Sequence, residues 1–300
     1  MVIRDHPSRG IHIAPFTAKK RLSEAPHPPG RRYGSGMRLT GESQRLARFE
    51  WRGHVLHGRL ITADDEDLLE VLTADPLTGA AEPTGDRLPL DEVRLLAPVV
   101  PGKIVAVGRN YADHIAELDL DTPAAPRLFF KPPSAVIGHG EAIRYPAQSQ
   151  EVHYEAELAV VIGRTARDVP ADKALDYIFG YTCANDVTAR DIQRADGQPS
   201  WAKAFDTFCP LGPWITTSLD PTKLEVRCEV NGAERQSAGT NTMLHPVASL
   251  LAYITAAVTL EPGDVLLTGT PAGVGPVVPG DEVAVHISGI GSLANPVVTR

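Results

Sequence analysis

The chain has 300 residues, a formal net charge of -8 and a hydrophobic fraction of 43%. This length suits one large domain, or one large and one small, with an ordinary buried core. The acidic balance argues against nucleic acid as the main partner, and no apolar run is long enough to cross a bilayer. Neither nucleic acid nor a membrane is therefore expected as a partner.

Residues 1–36 differ in composition from the rest of the chain. They are rich in proline, with arginine and lysine scattered between, and sustain neither a helical nor a strand period. We expect a disordered leader without a secretory signal, and Met37 is a candidate natural start of the protein.

The number and spacing of the cysteines indicate which cellular compartment the protein occupies. There are three, Cys183, Cys209 and Cys228, and none forms a CxxC pair. This disfavours a disulfide framework and the usual zinc sites. A reducing compartment, the cytoplasm, is the expected location.

The first regular patterns predict a small β-rich domain over residues 37–97. Two alternating runs predict strands joined by a hairpin at Arg52-Gly53, a shorter run predicts a third strand, and prolines and glycines predict a loop. The runs lie at 46–51, 54–61 and 68–72, and the loop lies at 76–85. Residues 98–102 are the expected boundary to a second domain at 98–300.

In the second domain, proline and glycine separate many short strand-like runs. The clearest runs are 104–107, 128–130, 157–162, 214–216, 224–230, 264–267 and 282–287. Helical periodicity occurs at 112–118, 171–175, 189–195 and 245–259. There is no βαβ alternation, which disfavours a Rossmann sheet and a TIM barrel. The predicted fold class is mainly β (α+β), a sandwich or rolled sheet.

Glu155 and Glu157 are candidate metal ligands. Being two residues apart on a predicted strand, they should point to the same face, where two like charges are costly without a cation between them. An exposed strand face is the ordinary explanation for alternating glutamates. The run from Leu158 to Ile162 has no further polar residue, however, and an exposed strand would keep alternating. A functional pair is the favoured interpretation.

Asp186 is a third candidate ligand, at the end of an apolar run and before a predicted helix. It could equally be a helix N-cap. With Arg190 and Gln193 it has the spacing of one helix face, where an ordinary surface salt bridge is the alternative. Two glutamates and an aspartate form an all-oxygen ligand set, which favours Mg²⁺, Mn²⁺ or Ca²⁺ over zinc and leaves room for a chelating substrate.

Two further segments contain candidate residues. His114 and Glu117 are three apart and would share a helix face, either as a surface ion pair or as a dyad in which the carboxylate orients the imidazole. The glycine-rich stretch 267–276 lacks the GK[ST] ending of a P-loop. It predicts an ordinary turn, or a loop whose backbone and Thr270 hydroxyl approach a substrate carboxylate.

Six stretches of this chain together resemble the fumarylacetoacetate hydrolase family. They occur in the family's order and span about residues 98–298: GRNYADHIAE, FFKPPSAVIG, HYEAELAVVIG, FGYTCANDVTARDIQ, KAFDTFCPLGPW and LTGTPAGVGP. Residues 37–97 resemble the short N-terminal domain of bacterial members. The resemblance implies a rolled mixed β-sheet, usually in a homodimer.

The resemblance also implies roles for individual residues. Glu155, Glu157 and Asp186 would hold Mg²⁺ or Mn²⁺. Lys203 matches the family's active-site lysine, and His114 with Glu117 matches a dyad on a mobile lid. The expected substrate-contacting residues are Arg109, Arg190, Gln193 and Thr270.

The reaction implied is the formation of a metal-stabilised enolate from a 2-oxo acid. Hydrolysis of an acylpyruvate, decarboxylation of oxaloacetate and isomerisation of a hydroxymuconate-type dienol would all pass through it. Two other possibilities remain open: a sugar-acid dehydratase on the same fold, and a non-catalytic protein that binds 2-oxo acids.

Overall fold

The computed structural model describes residues 42–117, 119 and 121–300. The predicted leader at 1–36 and the candidate start at Met37 lie outside these residues. The described strands are β1 (Arg45–Trp51), β2 (His54–Ala63), β3 (Glu66–Leu72), β4 (Pro83–Pro89), β5 (Arg94–Leu95), β6 (Ile104–Gly108), β7 (Arg127–Lys131), β8 (Val136–Ile137), β9 (Ile143–Tyr145), β10 (Val152–Tyr154), β11 (Ala156–Ile162), β12 (Ile178–Asn185), β13 (Thr188–Ala189), β14 (Cys209–Thr216), β15 (Glu225–Val230), β16 (Ala233–Gly239), β17 (Val265–Leu267), β18 (Gly275–Val277), β19 (Glu282–Ile287) and β20 (Gly291–Thr299). The α-helices are α1 (Ala112–Glu117), α2 (Arg190–Asp196), α3 (Pro199–Ala202) and α4 (Val247–Thr255).

A large mixed sheet forms the centre of the fold. Ten of its strands follow the order β4-β3-β2-β1-β14-β12-β11-β17-β6-β7, while β5 pairs with β1 and β8 with β14. Most neighbours are antiparallel, but β17–β6 and β14–β8 are parallel. Smaller sheets have the orders β13-β10-β18 and β16-β15-β19-β20-β9. The predicted fold class, mainly β with a large mixed sheet, is confirmed.

The predicted hairpin is confirmed. Strands β1 and β2 pair antiparallel up to Trp51 opposite His54, so the turn is the two residues Arg52 and Gly53. Both have positive φ, 49° and 81°, as two-residue hairpin turns require. The third strand, β3, is also confirmed. The loop predicted at 76–85 is wrong at its end, because β4 begins at Pro83 and pairs with β3 as an edge strand, where proline is tolerated.

Strand β11 lies at the centre of the core and is buried on both faces. All seven residues of Ala156–Ile162 are buried. Leu158 and Val160 pack into a cluster with Val226 and Val285 of the five-stranded sheet, whereas the alternate residues of β11 pack into a second cluster. This sandwiched position explains why the apolar run does not alternate with polar residues.

The helix predictions have mixed outcomes. The patterns at 112–118, 189–195 and 245–259 correspond to α1, α2 and α4, although residue 118 lies outside the described residues. The pattern at 171–175 forms a 3₁₀ helix, Ala171–Tyr177. Among the described residues, no helix has the length and apolar character needed to span a membrane.

Candidate metal centre and substrate pocket

Glu155, Glu157 and Asp186 form one buried carboxylate triad, the name used below for these three residues. One carboxylate oxygen from each lies within 4.8 Å of the other two. The exposed fractions of the three residues are 5%, 1% and 0%. Such a concentration of negative charge away from water requires compensating cations or protons.

The backbone brings the three residues together. Glu155 occupies the break between β10 and β11, and Asp186 directly follows β12, the antiparallel neighbour of β11. The amide of Glu155 donates to Oδ1 of Asn185 at 3.0 Å, and the amide of Asp186 donates to the carbonyl of Glu155 at 2.8 Å. These bonds tie together the ends of two central strands, so the triad lies on the rigid part of the fold.

Asp186 follows the end of a strand as predicted, but it is neither a helix N-cap nor on one helix face with Arg190 and Gln193. Helix α2 begins at Arg190, its N-cap residue is Ala189, and the short strand β13 separates Asp186 from it. Arg190 and Gln193 do share the helix, and Nη1 of Arg190 donates to Oε1 of Gln193. Asp186 and Arg190 nevertheless line the same cavity, because the tertiary fold brings them together.

Three cations compensate the triad. Nζ of Lys203 donates to Oε2 of Glu155 at 2.7 Å and to Oδ2 of Asp186 at 2.6 Å. Arg190 donates to Oε1 of Glu155, and Lys131 donates to Oδ1 of Asp186. Both carboxylate oxygens of Glu155 and both of Asp186 therefore accept hydrogen bonds from charged donors. These charge-assisted bonds hold the two side chains in place.

Glu157 differs from the other two carboxylates. In the described part of the chain its hydrogen-bond donor is the amide of Gly269, which lies 2.6 Å from Oε2. Burial raises the pKa of Glu157 well above its usual range, and the charges of Asp186 and Glu155 raise it further. For Glu155 the effect of burial is outweighed by Lys203 and Arg190, which lower its pKa. Of the two glutamates, Glu157 is therefore the one whose surroundings favour the protonated form.

Gly269 reaches Glu157 because it is a glycine. Its φ is +96°, and a Cβ at this position would lie 2.7 Å from Cβ of Asn110. Any side chain would push the loop away and remove the amide from Glu157. The neighbouring Thr270 has its Oγ1 bonded by Nε2 of Gln236 at 2.8 Å.

The dyad residues His114 and Glu117 lie together on α1. Nδ1 of His114 is 3.3 Å from Oε2 of Glu117. Glu117 also accepts from the amide of Gly273, at 3.0 and 3.1 Å to its two oxygens. The carboxylate therefore orients the imidazole and fastens α1 to the glycine-rich loop.

A cavity of about 540 Å³ contains nearly all of the candidate residues. The candidates that line it are Arg109, His114, Glu155, Glu157, Asp186, Arg190, Gln193, Lys203 and Thr270. Glu117 is not among the lining residues but contacts His114, which is. The cavity volume suits a small organic acid.

The triad fits a divalent cation. It supplies oxygen ligands alone, and Glu157 is a buried carboxylate with no bonded cation in the described residues. Two further buried polar atoms, Nε of Arg190 and Nδ1 of His153, have no hydrogen-bond partner among the described residues. Both belong to residues that line the cavity. Nε of Arg190 is an unused donor for an anionic ligand, whereas Nδ1 of His153 is an unused acceptor, because Nε2 of that ring faces the carboxylate of Glu151 at 2.9 Å and carries the hydrogen.

The sequence arguments missed several residues of this site. His153 lines the cavity, while Lys131, Gln236 and Gly269 bond residues that line it. Lys131 ends an apolar strand before two prolines, an unusual place for a lysine, and that feature could have identified it. Gln236 lies in a polar strand with no distinguishing pattern. Its place in the site depends on tertiary contacts alone.

Comparisons with known proteins agree with this geometry. Residues 103–298 match the family model "Fumarylacetoacetate (FAA) hydrolase C-terminal", and residues 44–98 match "Rv2993c-like, N-terminal". A 2-hydroxyhepta-2,4-diene-1,7-dioate isomerase from Mycobacterium marinum is 46% identical with a TM-score of 0.79, covering 86% of this chain and 99% of that one.

Two further relatives carry other activities in their names. The mitochondrial oxaloacetate tautomerase fahd2 of Xenopus laevis is 45% identical over 219 residues, 69% of this chain and 69% of that protein. A maleylpyruvate hydrolase from Sphingobium, solved with manganese and pyruvate, is 34% identical with a TM-score of 0.68, covering 85% of this chain and 99% of that one. Similar proteins thus include an isomerase, a tautomerase and a hydrolase, all of organic oxo or hydroxy acids.

Proposed function

The chain belongs to the fumarylacetoacetate hydrolase family, and we propose that it is a divalent-metal-dependent enzyme that converts a 2-oxo acid into its enolate. The observation that carries this proposal is the buried triad, with Lys203 bonded to two of its carboxylates in a cavity that His114 also lines. Mg²⁺ or Mn²⁺ is the proposed ion. The all-oxygen donor set supports both, and the manganese in the Sphingobium hydrolase supports the second.

The triad and Lys203 together suit the stabilisation of negative charge on a substrate. A 2-oxo acid has a carboxylate beside a carbonyl group, and an ion in the triad would supply Lewis-acid stabilisation as the carbonyl oxygen becomes negative. Lys203 holds its charge in place through two carboxylates, so it does not have to reorganise when that oxygen becomes negative. Although burial lowers the pKa of Lys203, the neighbouring Asp186 and Glu155 raise it overall, so the amine stays protonated.

His114 is the proposed proton carrier at C3 of the substrate. Its Nδ1 faces the carboxylate of Glu117, which accepts hydrogen bonds, so Nδ1 carries the hydrogen. The other ring nitrogen, Nε2, is then the basic atom. His114 lines the cavity together with the triad, as a general base for the substrate must.

One kind of enolate is shared by three reactions. It forms when C3 loses a proton, when C3 loses CO₂, or when water adds to an acyl group on C3 and the C–C bond then breaks. Protonation of the enolate then gives the tautomer or isomer, the decarboxylated acid or the hydrolysis product. The names of the similar proteins include the first and third of these. Our proposal concerns the shared step, the formation of the enolate, and leaves a sugar-acid dehydratase and a non-catalytic binding protein as the competing functions.

The shared step can be tested without knowledge of the final substrate. Pyruvate incubated in heavy water with the protein and Mg²⁺ should gain deuterium at C3, measured by mass spectrometry. EDTA should stop the exchange, and His114→Ala should slow it by roughly 10²–10⁴-fold. His54→Ala, an exposed histidine on β2, is the matched control and should exchange at the wild-type rate.

Each outcome decides between functions. Metal-dependent exchange that requires His114 supports the enolate proposal. Binding of pyruvate and metal by calorimetry without any exchange would overturn it in favour of a binding protein. Exchange that survives EDTA would contradict the role of the metal.

A further inference from the structure

One face of strand β7 carries a row of side chains that extends from the triad to the cavity. Arg127, Phe129 and Lys131 alternate along it and so share one face of the sheet. Lys131 donates to Asp186, and the ring of Phe129 lies 5.1 Å from Nζ of Lys203. Arg127 is the exposed member of the row and lines the cavity from the other end of the strand, four residues from Lys131.

Arg109 reaches the same end of the pocket from the neighbouring strand. Gly108, the last residue of β6, pairs with Arg127, and Arg109 follows it directly. Arg109 has a φ of 60°, a left-handed backbone that costs a non-glycine residue on the order of 1–2 kcal/mol. The chain adopts this costly conformation at the position from which Arg109 lines the cavity.

The other cations of the cavity are already paired with carboxylates. Lys203 and Arg190 bond Glu155, and Arg194 bonds Glu151. Within the described residues, by contrast, Arg127 has no hydrogen-bonded carboxylate, and Arg109 donates to the carbonyl of Asp121 at 3.4 Å.

Arg109 and Arg127 act on each other as like charges. Burial lowers the pKa of Arg109, and the charge of Arg127 lowers it further, while Asp121 opposes these effects. Two surface arginines can remain solvated without any function. Here both line the cavity of the triad, and an anionic group between them would relieve the repulsion and gain charge-assisted hydrogen bonds.

We propose that Arg109 and Arg127 form a second anion subsite, which binds the distal carboxylate of a 2-oxo dicarboxylic acid. Along β7, Arg127 is about 7 Å from Phe129, the residue beside Lys203. The 2-oxo acid group at the triad and the distal carboxylate would therefore be separated by a short carbon chain. This inference rests on the proposed function, because the triad end must first bind the 2-oxo acid group.

Matched ligands test the subsite. 2-Oxoadipate and 2-oxohexanoate have the same chain length and differ in whether a carboxylate or a methyl group ends it. Calorimetry with the Mn²⁺-loaded protein should find the dicarboxylate bound roughly 10–100-fold more tightly, the usual effect of hydrogen bonds to a charged group. 2-Oxoglutarate and 2-oxopentanoate repeat the comparison for a chain one carbon shorter.

Variants then assign the difference to the arginines. Arg127→Gln should weaken binding of the dicarboxylate by roughly tenfold or more, leave the monocarboxylate within about twofold, and be partly rescued by Arg127→Lys. Arg144→Gln on β9 also removes one exposed positive charge, but outside this cavity, and should change neither affinity.

The outcomes separate the two proposals. If both ligands of a pair bind equally tightly, or Arg127→Gln weakens both alike, the subsite is wrong while the 2-oxo acid site stands. If neither ligand binds although metal does, the proposed function fails and the subsite fails with it. If Arg144→Gln weakened binding of the dicarboxylate as much as Arg127→Gln does, the effect would be one of long-range charge, and the subsite would be wrong.

Discussion

The floor and the rim of the pocket are built in opposite ways. The floor consists of buried groups on or beside central strands: Lys131, Glu155, Glu157, Asp186, Arg190 and Lys203. The rim consists of groups at strand ends and on α1: Arg109, His114, Glu117 and Arg127. Most floor groups bond at least one opposite charge, whereas the rim bonds are long or involve backbone atoms.

The difference indicates a division of roles. A fixed floor can stabilise charge without reorganising, which is the main source of electrostatic catalysis. A loosely bonded rim can adapt to substrates and can open, since local stability is lowest where few buried contacts hold an element. Changes at the floor should therefore affect chemistry and metal affinity, and changes at the rim should affect rate and selectivity.

The largest effect is expected from the floor itself. Glu157→Gln and Asp186→Asn keep the shape of the side chain but remove a ligand charge, so metal affinity should collapse and turnover should fall by roughly 10⁴-fold, the equivalent of several kcal/mol. Calorimetry with Mn²⁺ and circular dichroism would measure metal affinity and fold. Wild-type metal affinity in both variants would refute the triad as a metal centre.

A smaller effect is expected from the rim residue Glu117. Glu117→Gln keeps an acceptor for the amide of Gly273 but removes the charge that supports a protonated His114. We expect turnover to fall by roughly 10–100-fold, since the base keeps its place but loses its charged partner. Metal affinity should stay unchanged, because Glu117 is not a ligand.

Glu117→Ala is the matched comparison, because it also breaks the bond to Gly273. Hydrogen exchange over residues 109–117 should then increase, whereas Glu117→Gln should leave it close to wild type. Equal exchange in the two variants would show that this bond does not hold α1 in place.

Gln236 connects the floor to the glycine-rich loop. Replacing it should have a smaller effect on turnover than replacing Glu117. Its Oε1 accepts from the amide of Ala156, between Glu155 and Glu157, and its Nε2 donates to Thr270 and to the carbonyl of Pro271. Gln236→Leu leaves these buried partners unsatisfied at a cost of about 1–3 kcal/mol in the free energy of unfolding.

A positioning role for Gln236 predicts more than lost stability. Turnover in Gln236→Leu should fall by roughly tenfold with KM little changed, and Gln236→Glu, which keeps the acceptor for Ala156, should retain more of it. Ser237→Ala, the adjacent exposed residue on β16, is the control for the strand. Normal turnover in a destabilised Gln236→Leu protein would limit this residue to a structural role.

The sequence could predict the fold where periodicity is strong. The hairpin of β1 and β2 and the buried β11 were correct because alternation and continuous apolar runs are local properties. The strand β16 was missed because its seven residues are mostly polar and only Gln236 is fully buried. Burial of a single side chain leaves no local pattern.

The same limit applies to the site. Glu155 and Glu157 could be inferred from their spacing of two residues beside a continuous apolar run, but the helix face predicted for Asp186 and Arg190 does not exist, because the helix begins only at Arg190. Lys131 and Gln236 contribute through contacts 55 and 80 residues apart in sequence. Such contacts are fixed by the order of strands in the sheet, which single-sequence patterns do not encode.

The last prediction concerns the pH dependence of stability, and it isolates Glu157. Its pKa is raised in the folded, metal-free protein by burial and by its two carboxylate neighbours, whereas an unfolded glutamate titrates near pH ~4.3. Between those two pKa values the folded state binds more protons than the unfolded state. The contribution of Glu157 to stability is therefore fully present below the unfolded pKa and is lost as pH rises through the folded pKa. Within this window, its part of the free energy of unfolding falls by up to about 1.4 kcal/mol per pH unit.

Glu157→Gln should remove that slope. His57, His139 and His153 have pKa values lowered by burial, so they act in the opposite direction as pH falls below the unfolded histidine value. The measurement is therefore the difference between wild type and Glu157→Gln in urea unfolding from about pH 5 to 8, in which the histidines cancel. Without metal, the free energy of unfolding of Glu157→Gln should rise relative to that of wild type as pH rises. Mn²⁺ displaces the proton of Glu157 in the wild type and should abolish this relative rise. A difference that stays constant with pH would show that Glu157 is already ionised in the metal-free protein, and the fixed cations of the floor would then suffice to hold all three charges.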